Sequence, residues 1–203
     1  MRYKFPGFQF LLLALLLSTV NVAQGQVASA ATQGYTPLEV GAGVSTWSTN
    51  WGPGHMIGIT SFADYHLSLP GKLRGLGVEG EYRDVNWGRD YEPSNYRQMT
   101  IGGGPLYTVP FRNHFRFYGK YLIDYGSMDF MFTPNSGYTH DTRTVYAPGA
   151  GAEYRIKNSF WGRVDFEYQT WPHLFSATTS PTPYGFTFSL GYDVRSPYRR
   201  TTY

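Results

Sequence analysis

The chain has 203 residues, no cysteine, 24 glycines, 18% aromatic residues and a formal net charge of +3 from 17 Lys and Arg against 14 Asp and Glu. Without cysteine there are no disulfides, no thiol chemistry and no lipidated N-terminal cysteine. The basic residues are few and dispersed among acids, which excludes a nucleic-acid partner, and the scarcity of helix formers after residue 35 points to an all-β chain rich in turns.

The chain opens as a secretory signal peptide over residues 1–30. Arg2 and Lys4 supply the positive start, Leu11–Leu17 the short apolar run, and two small-x-small sites follow, for cleavage after Gly25 or Ala30. No later stretch is apolar enough for a spanning helix, so a mature chain that enters a membrane must do so as a closed barrel.

From residue 35 onward, alternation of period two predicts strands at 38–46, 57–67, 76–83, 98–107, 115–125, 145–156, 160–168 and 185–194. Short turns at 68–75, 108–114 and 157–159 alternate with longer segments at 47–56, 84–97, 126–144 and 169–184, rich in Gly, Pro, Ser, Thr and Tyr. An even strand count with alternating short and long connections is the pattern of an outer-membrane barrel whose termini face the periplasm. Pro105 and Pro148 interrupt two of the strands, since each removes a ladder donor. A bulge at Pro148-Gly149 is expected to relieve the second.

Charges separate by parity within these spans. Glu39, Asp64, Glu79, Glu81, Arg83, Arg116, Lys120, Asp124, Glu153, Arg155, Arg163, Asp165, Glu167 and Asp193 share one parity, and the opposite parity carries no charge. That opposite face holds residues such as Val44, Ile59, Val164, Phe166, Phe188 and Leu190. An Arg or Lys facing lipid at the bilayer midplane costs about 2–4 kcal/mol, so lipid exposure demands this asymmetry. Running the strands alternately up and down places Tyr65, Tyr107, Phe115, Phe117, Tyr154, Phe160 and Tyr192 near one interface. It places Tyr125, Tyr146, Tyr168 and Phe186 near the other, giving two aromatic girdles. The fold class is therefore an eight-stranded antiparallel up-and-down transmembrane β-barrel, with residues 195–203 as a short periplasmic tail. The competing architecture is a soluble barrel or sandwich with the aromatics inside.

In strand pattern over residues 35–194, the chain resembles the small eight-stranded outer-membrane proteins of Gram-negative bacteria: OmpA-type transmembrane domains, OmpX-type proteins and opacity-type surface antigens. Ser189, Gly191, Tyr192 and Val194 in the run Ser189-Leu190-Gly191-Tyr192-Asp193-Val194 resemble the final-strand signal that this family presents to the barrel-insertion machinery. The chain departs from that pattern by running on to Tyr203 after the final strand. The resemblance implies a monomer in the outer membrane, in contact with membrane lipid and lipopolysaccharide.

An eight-stranded barrel is just wide enough for side chains to fill. Glu79, Glu81, Arg83, Arg116, Lys120, Asp124, Glu153, Arg155, Arg163, Asp165 and Glu167 are therefore expected to form a lumenal salt-bridge network. Nine inner acids against five bases would make any pore cation-favouring. Gly102-Gly103-Gly104 and Gly149-Ala150-Gly151 lie inside strands with no helix after them, so they are not nucleotide loops. His66-Leu67-Ser68 superficially matches the His-x-Ser pair of outer-membrane lipid A deacylases, but it sits at the periplasmic end and runs into Pro70-Gly71. His55, His140 and His173 fall in separate outer segments without metal-ligand spacing. No catalytic residue, metal or cofactor is assigned.

The outer segments carry Trp47, Trp51, Trp87, Tyr91, Tyr96, Tyr138 and Trp171 among small polar residues. This composition suits an extracellular ligand, or packing of the segments against one another above the barrel. The expected function is non-catalytic, structural and surface-interactive; a narrow cation pore and a lipid-modifying enzyme are the alternatives.

Overall fold

The computed structural model describes residues 38–50, 55–67, 69–87, 96–112, 114–131, 138–157, 159–174 and 180–194. The signal peptide, the tail and Ser68 lie outside them, as do Trp51 and Tyr91.

Alternation along each strand makes two-faced strands, and each pairs antiparallel with its sequence neighbour. They are β1 (Leu38–Ser48), β2 (His55–His66), β3 (Leu76–Trp87), β4 (Arg97–Arg112), β5 (Phe115–Met131), β6 (Tyr138–Lys157), β7 (Phe160–Tyr168) and β8 (Tyr184–Asp193). β8 pairs back onto β1, from Glu39↔Asp193 to Ser48↔Tyr184, and closes the barrel. The lower end, where the described chain begins and ends, is tied by Val194 N–H to Leu38 O at 2.9 Å and Asp193 N–H to Ser159 O at 2.8 Å. Closure leaves no lateral edge along the shared height of the strands, which is what a hydrocarbon surround requires.

The two faces sort as the parity rule demands. Thirteen of the fourteen inner charges are buried, and Arg155 at the lower mouth is half-buried. Val44, Ile59, Val164, Phe166, Phe188 and Leu190 are exposed on the outside. A soluble barrel inverts this arrangement, so the apolar-inside alternative is overturned. Rings meet along both girdles: Phe115 and Tyr154 at 4.8 Å and Phe160 and Tyr192 at 5.1 Å below, Phe166 and Phe186 at 5.1 Å above.

The wall is taller on one side than its alternation predicts. β5 and β6 pair continuously from Phe115↔Tyr154 to Met131↔Tyr138, so the segment expected as a loop at 126–144 is largely ribbon. Likewise β3 continues through Trp87, and β4 runs to Arg112 through most of the expected turn at 108–114. Above the upper girdle the outward face carries charges while the inward face packs the barrel mouth, so the sequence there loses the lipid-facing apolar parity while the backbone continues to pair.

Both prolines fall where the ladder can spare a donor. Pro105 sits opposite Val78 on β3, and pairing of β4 with β5 skips from Gly103↔Ile123 to Leu106↔Lys120 without a register change. The expected bulge at Pro148-Gly149 is absent, since Tyr121↔Pro148 is in register on β5. On the other side, β6 pairs with β7 only from Gly149↔Glu167 downward and touches that chain again at Tyr146↔Thr170. Pro148 occupies the gap between those contacts. The irregularities in β4 and β6 lie at the lower turns, at Pro110/Arg112 and Arg155/Lys157.

Candidate functional site

Period-two geometry points one residue in two into a tube too narrow for water to screen charge, so the inward side chains must satisfy one another. They do so in stacked layers. In the middle, Lys120 Nζ on β5 lies 2.9 Å from Glu79, 2.7 Å from Glu81, 3.2 Å from Asp165 and 3.0 Å from Glu167. Carboxylate oxygens of Glu81, Asp165 and Glu167 lie within 4.8 Å of one another. The Lys120 ammonium occupies the position that a metal ion would take among them.

Arg83 caps this cage from above, 2.5 Å from Glu81 and 2.6 Å from Glu167. Arg163 closes it from below, 2.8 Å from Asp64 and 2.5 Å from Glu79, while its Nε–H donates to Tyr118 Oη at 2.6 Å. Tyr118 in turn donates to Asp165 at 2.5 Å. Near the lower mouth, Arg116 bridges Glu39 and Glu153 and stacks on Trp161, whose ring centroid is 3.8 Å from the guanidinium carbon. Arg155 stacks on the same indole at 4.5 Å.

All eleven network residues expected from the sequence face the lumen, and nine of them enter ion pairs. Asp124 and Arg155 are inward without an ion pair among the described residues. Asp64 and Glu39 join the network as full partners, as their parity allows. Gly151 and Gly102 leave room for it, since a Cβ at Gly151 would collide with the Tyr118 ring and one at Gly102 with Asp124.

The upper lumen differs from expectation. Trp47, Tyr96 and Trp171, read from the sequence as loop aromatics that bind a ligand or pack the loops above the barrel, are buried inside the barrel mouth. With Met56, Val85, Met128, Val145 and Leu174 they form one apolar cluster. The chain after β7 folds inward rather than away: Thr170 exchanges backbone hydrogen bonds with Tyr146 at 2.9 and 3.2 Å, and Trp171 then drops against Gly126. Gln169 ties this strap to the charged layer. Its Oε1 accepts from Gln98 at 2.6 Å and from the Trp171 indole at 3.0 Å, and its Nε2 donates to Glu167 at 3.0 Å. The strand residues of this stopper, Trp47, Met56, Val85, Met128 and Val145, share the inward parity, and an apolar residue at an inward position was the signal available in the sequence.

His66 ends β2 at the lower mouth, buried and within electrostatic reach of Arg116, Asp193 and Arg163. In β8, Ser189 and Gly191 face inward, Tyr192 faces outward in the lower girdle, and Val194 follows the last paired residue.

Comparison with known proteins agrees with this architecture. The chain matches the family described as "Outer membrane protein beta-barrel domain" over residues 10–193. No curated protein sequence matches it. Among solved structures, Neisserial surface protein A is similar with a TM-score of 0.61 at 10% identity, covering 77% of this chain and 95% of that one. OprG from Pseudomonas aeruginosa is similar with a TM-score of 0.53 at 12% identity, covering 78% and 96%. The Yersinia pestis attachment invasion locus protein Ail gives 0.50 at 16% identity, covering 76% and 95%. At these identities the likeness is one of fold. The family match spans almost the whole chain, and this protein belongs to the outer-membrane protein β-barrel family.

Proposed function

We propose that this protein is a non-catalytic, non-conducting barrel of the Gram-negative outer membrane that serves as a structural element and presents its upper rim to a partner. The observation that carries this reading is the doubly closed lumen: an apolar stopper rests on a layer in which Arg83 and Lys120 share Glu81 and Glu167. The rim supports a surface role because the β5–β6 ribbon rises beyond the end of β7, and its charges lie outside the membrane.

The rim chemistry narrows the partner. Arg97 donates to Asp84 through two nitrogens, His140 meets Asp129 at 2.5 Å, and Arg143 meets Asp141 at 3.0 Å. A structure of Ail holds the heparin analogue sucrose octasulfate. In this chain each of these three basic rim side chains already faces an acid, which favours a partner of mixed charge over a polyanion.

The lumen's nine acids against five bases support the alternative of a narrow cation pore. Planar-bilayer recordings separate the two: the sealed barrel yields near-zero current, and a steady cation-selective current would replace it with the pore. For the surface role, residues 130–139 are removed and the ribbon is closed between Asp129 and His140, directly opposed in register. Expression of the parent should alter cell adhesion, and the shortened but still folded barrel should not. Equal adhesion with and without the parent protein sinks the surface role. The enzymatic alternative rests on His66 and Ser68, and unchanged lipid A mass on expression, with or without Ser68→Ala, disposes of it.

A further inference from the structure

Four acids oppose one another in an unbroken row around the lower lumen. Asp193 on β8 pairs in register with Glu39 on β1, Glu39 with Asp64 on β2, and Asp64 with Glu79 on β3. Like charges directly opposite across a ladder repel. Compensation is uneven along the row. Glu79 has Lys120 and Arg163, Asp64 has Arg163, and Glu39 has Arg116 on its Oε2. Asp193 has no ion pair among the described residues; its Oδ2 accepts the Trp161 indole N–H at 3.0 Å.

At the Asp193–Glu39 end, two carboxylate oxygens accept no hydrogen bond from a protein group. These are Glu39 Oε1 and Asp193 Oδ1, on side chains of residues 0% and 6% exposed. The backbone makes room there: Glu39 Oε1 lies over Gly191, where a Cβ would collide with it, so Glu39 leans toward the strand that carries Asp193. Buried anionic oxygens without donors are costly in a low-dielectric tube. The nearby cations are already engaged, Arg116 with Glu39 and Glu153, and Arg155 stacked on Trp161.

We propose that a hard divalent cation of the Mg2+ or Ca2+ class bridges Glu39 Oε1 and Asp193 Oδ1 at the periplasmic mouth and completes its shell with water. Oxygen-only ligands of anionic character suit such ions, and binding through one or two carboxylates with several retained waters is usual for Mg2+. The position admits an ion from the periplasm, because Glu39 is the second residue of β1 and Asp193 the last of β8. The ion joins the first and last strands of the barrel at the seam that closes it.

Trp161 supplies the readout, since its indole contacts Asp193 while Trp47 and Trp171 lie at the opposite end. The full mature chain, refolded in detergent without lipopolysaccharide, is titrated with Tb3+ under tryptophan excitation. Saturable Tb3+ emission, displaced by Ca2+, is expected. Asp193→Asn should weaken Tb3+ affinity by about tenfold or more, with retained folding verified by heat-modifiable gel mobility. Trp161→Phe should lose the emission, yet Ca2+ should still raise the temperature at which its folded band converts to the unfolded one. Glu81→Gln should leave the emission unchanged. Absent or non-saturable emission overturns the site, as does a Tb3+ affinity unchanged by Asp193→Asn or emission that disappears with Glu81→Gln, which would move the ion to the Lys120 cage.

Discussion

The Arg83 guanidinium carbon lies 4.2 Å from the centroid of the Trp47 indole, so a cation of the ion-paired layer forms the floor of the apolar stopper. The planar guanidinium stacks on the ring with one face, and its edge donates to Glu167 and Thr60. A lysine could not serve both neighbours in this way. The stopper and the ion-paired layer are therefore one packed unit, joined a second time through Gln169.

The Lys120 cage makes the strongest demand on stability. Lys120→Met leaves four carboxylates facing one another without their shared cation, and removing one partner of a buried ion pair costs about 3–5 kcal/mol. The folded band on unboiled gels should convert at a markedly lower temperature, and adding Glu81→Gln should restore part of the loss. A Lys120→Met barrel as heat-resistant as the parent would show that the cage contributes nothing.

Gly126 is the seat of the strap. A Cβ there collides with the Trp171 ring and with Val145, whereas Gly119 on the outer face has nothing nearer than 4.0 Å. Gly126→Leu should expel Trp171, shifting tryptophan emission to the red and opening residues 169–174 to protease. Gly119→Ala should do neither. Unchanged emission in Gly126→Leu would mean that the strap does not rest there.

Depth dependence tests immersion directly. Phe188 is exposed at mid-height, and Thr144 lies beside Tyr125 at the upper girdle. Phe188→Arg should cost about 2–4 kcal/mol and Thr144→Arg about 0–1 kcal/mol in denaturant titrations in lipid vesicles. Equal losses at the two depths would contradict a hydrocarbon surround.

Tyr192 is the outward aromatic of β8 and packs on Phe160 at 5.1 Å. If the final strand is read by the insertion machinery, Tyr192→Ala should lower the fraction of heat-modifiable barrel in cells more than Phe160→Ala, which removes the same ring contact from β7. Equal effects would assign Tyr192 to packing alone.

Strand count, order and the facing of all fourteen lumenal charges were legible in the sequence, because lipid excludes charge from every second position over the full membrane thickness. Strand length was less legible: above the girdles Asp84, Arg97, Asp129 and His140 sit on the outward face while their inward neighbours pack the stopper, and the greasy-out, charged-in signal is lost. The placement of Trp47, Tyr96 and Trp171 was the least legible. Aromatics in a polar segment look the same in sequence whether they bind a partner or fill a cavity, and local pattern carries no information about inward folding of the strap after β7.

The sequence by itself determined a closed eight-stranded barrel with a greasy exterior and a charged interior, since period-two chemistry is local and every strand repeats it. Only the tertiary structure decided which charges meet, that Lys120 is shared among four acids, that the upper mouth is stoppered, and that Glu39 and Asp193 each keep a free oxygen. Those outcomes depend on register around the closed circumference and on side chains reaching across the lumen, distances that no single strand encodes.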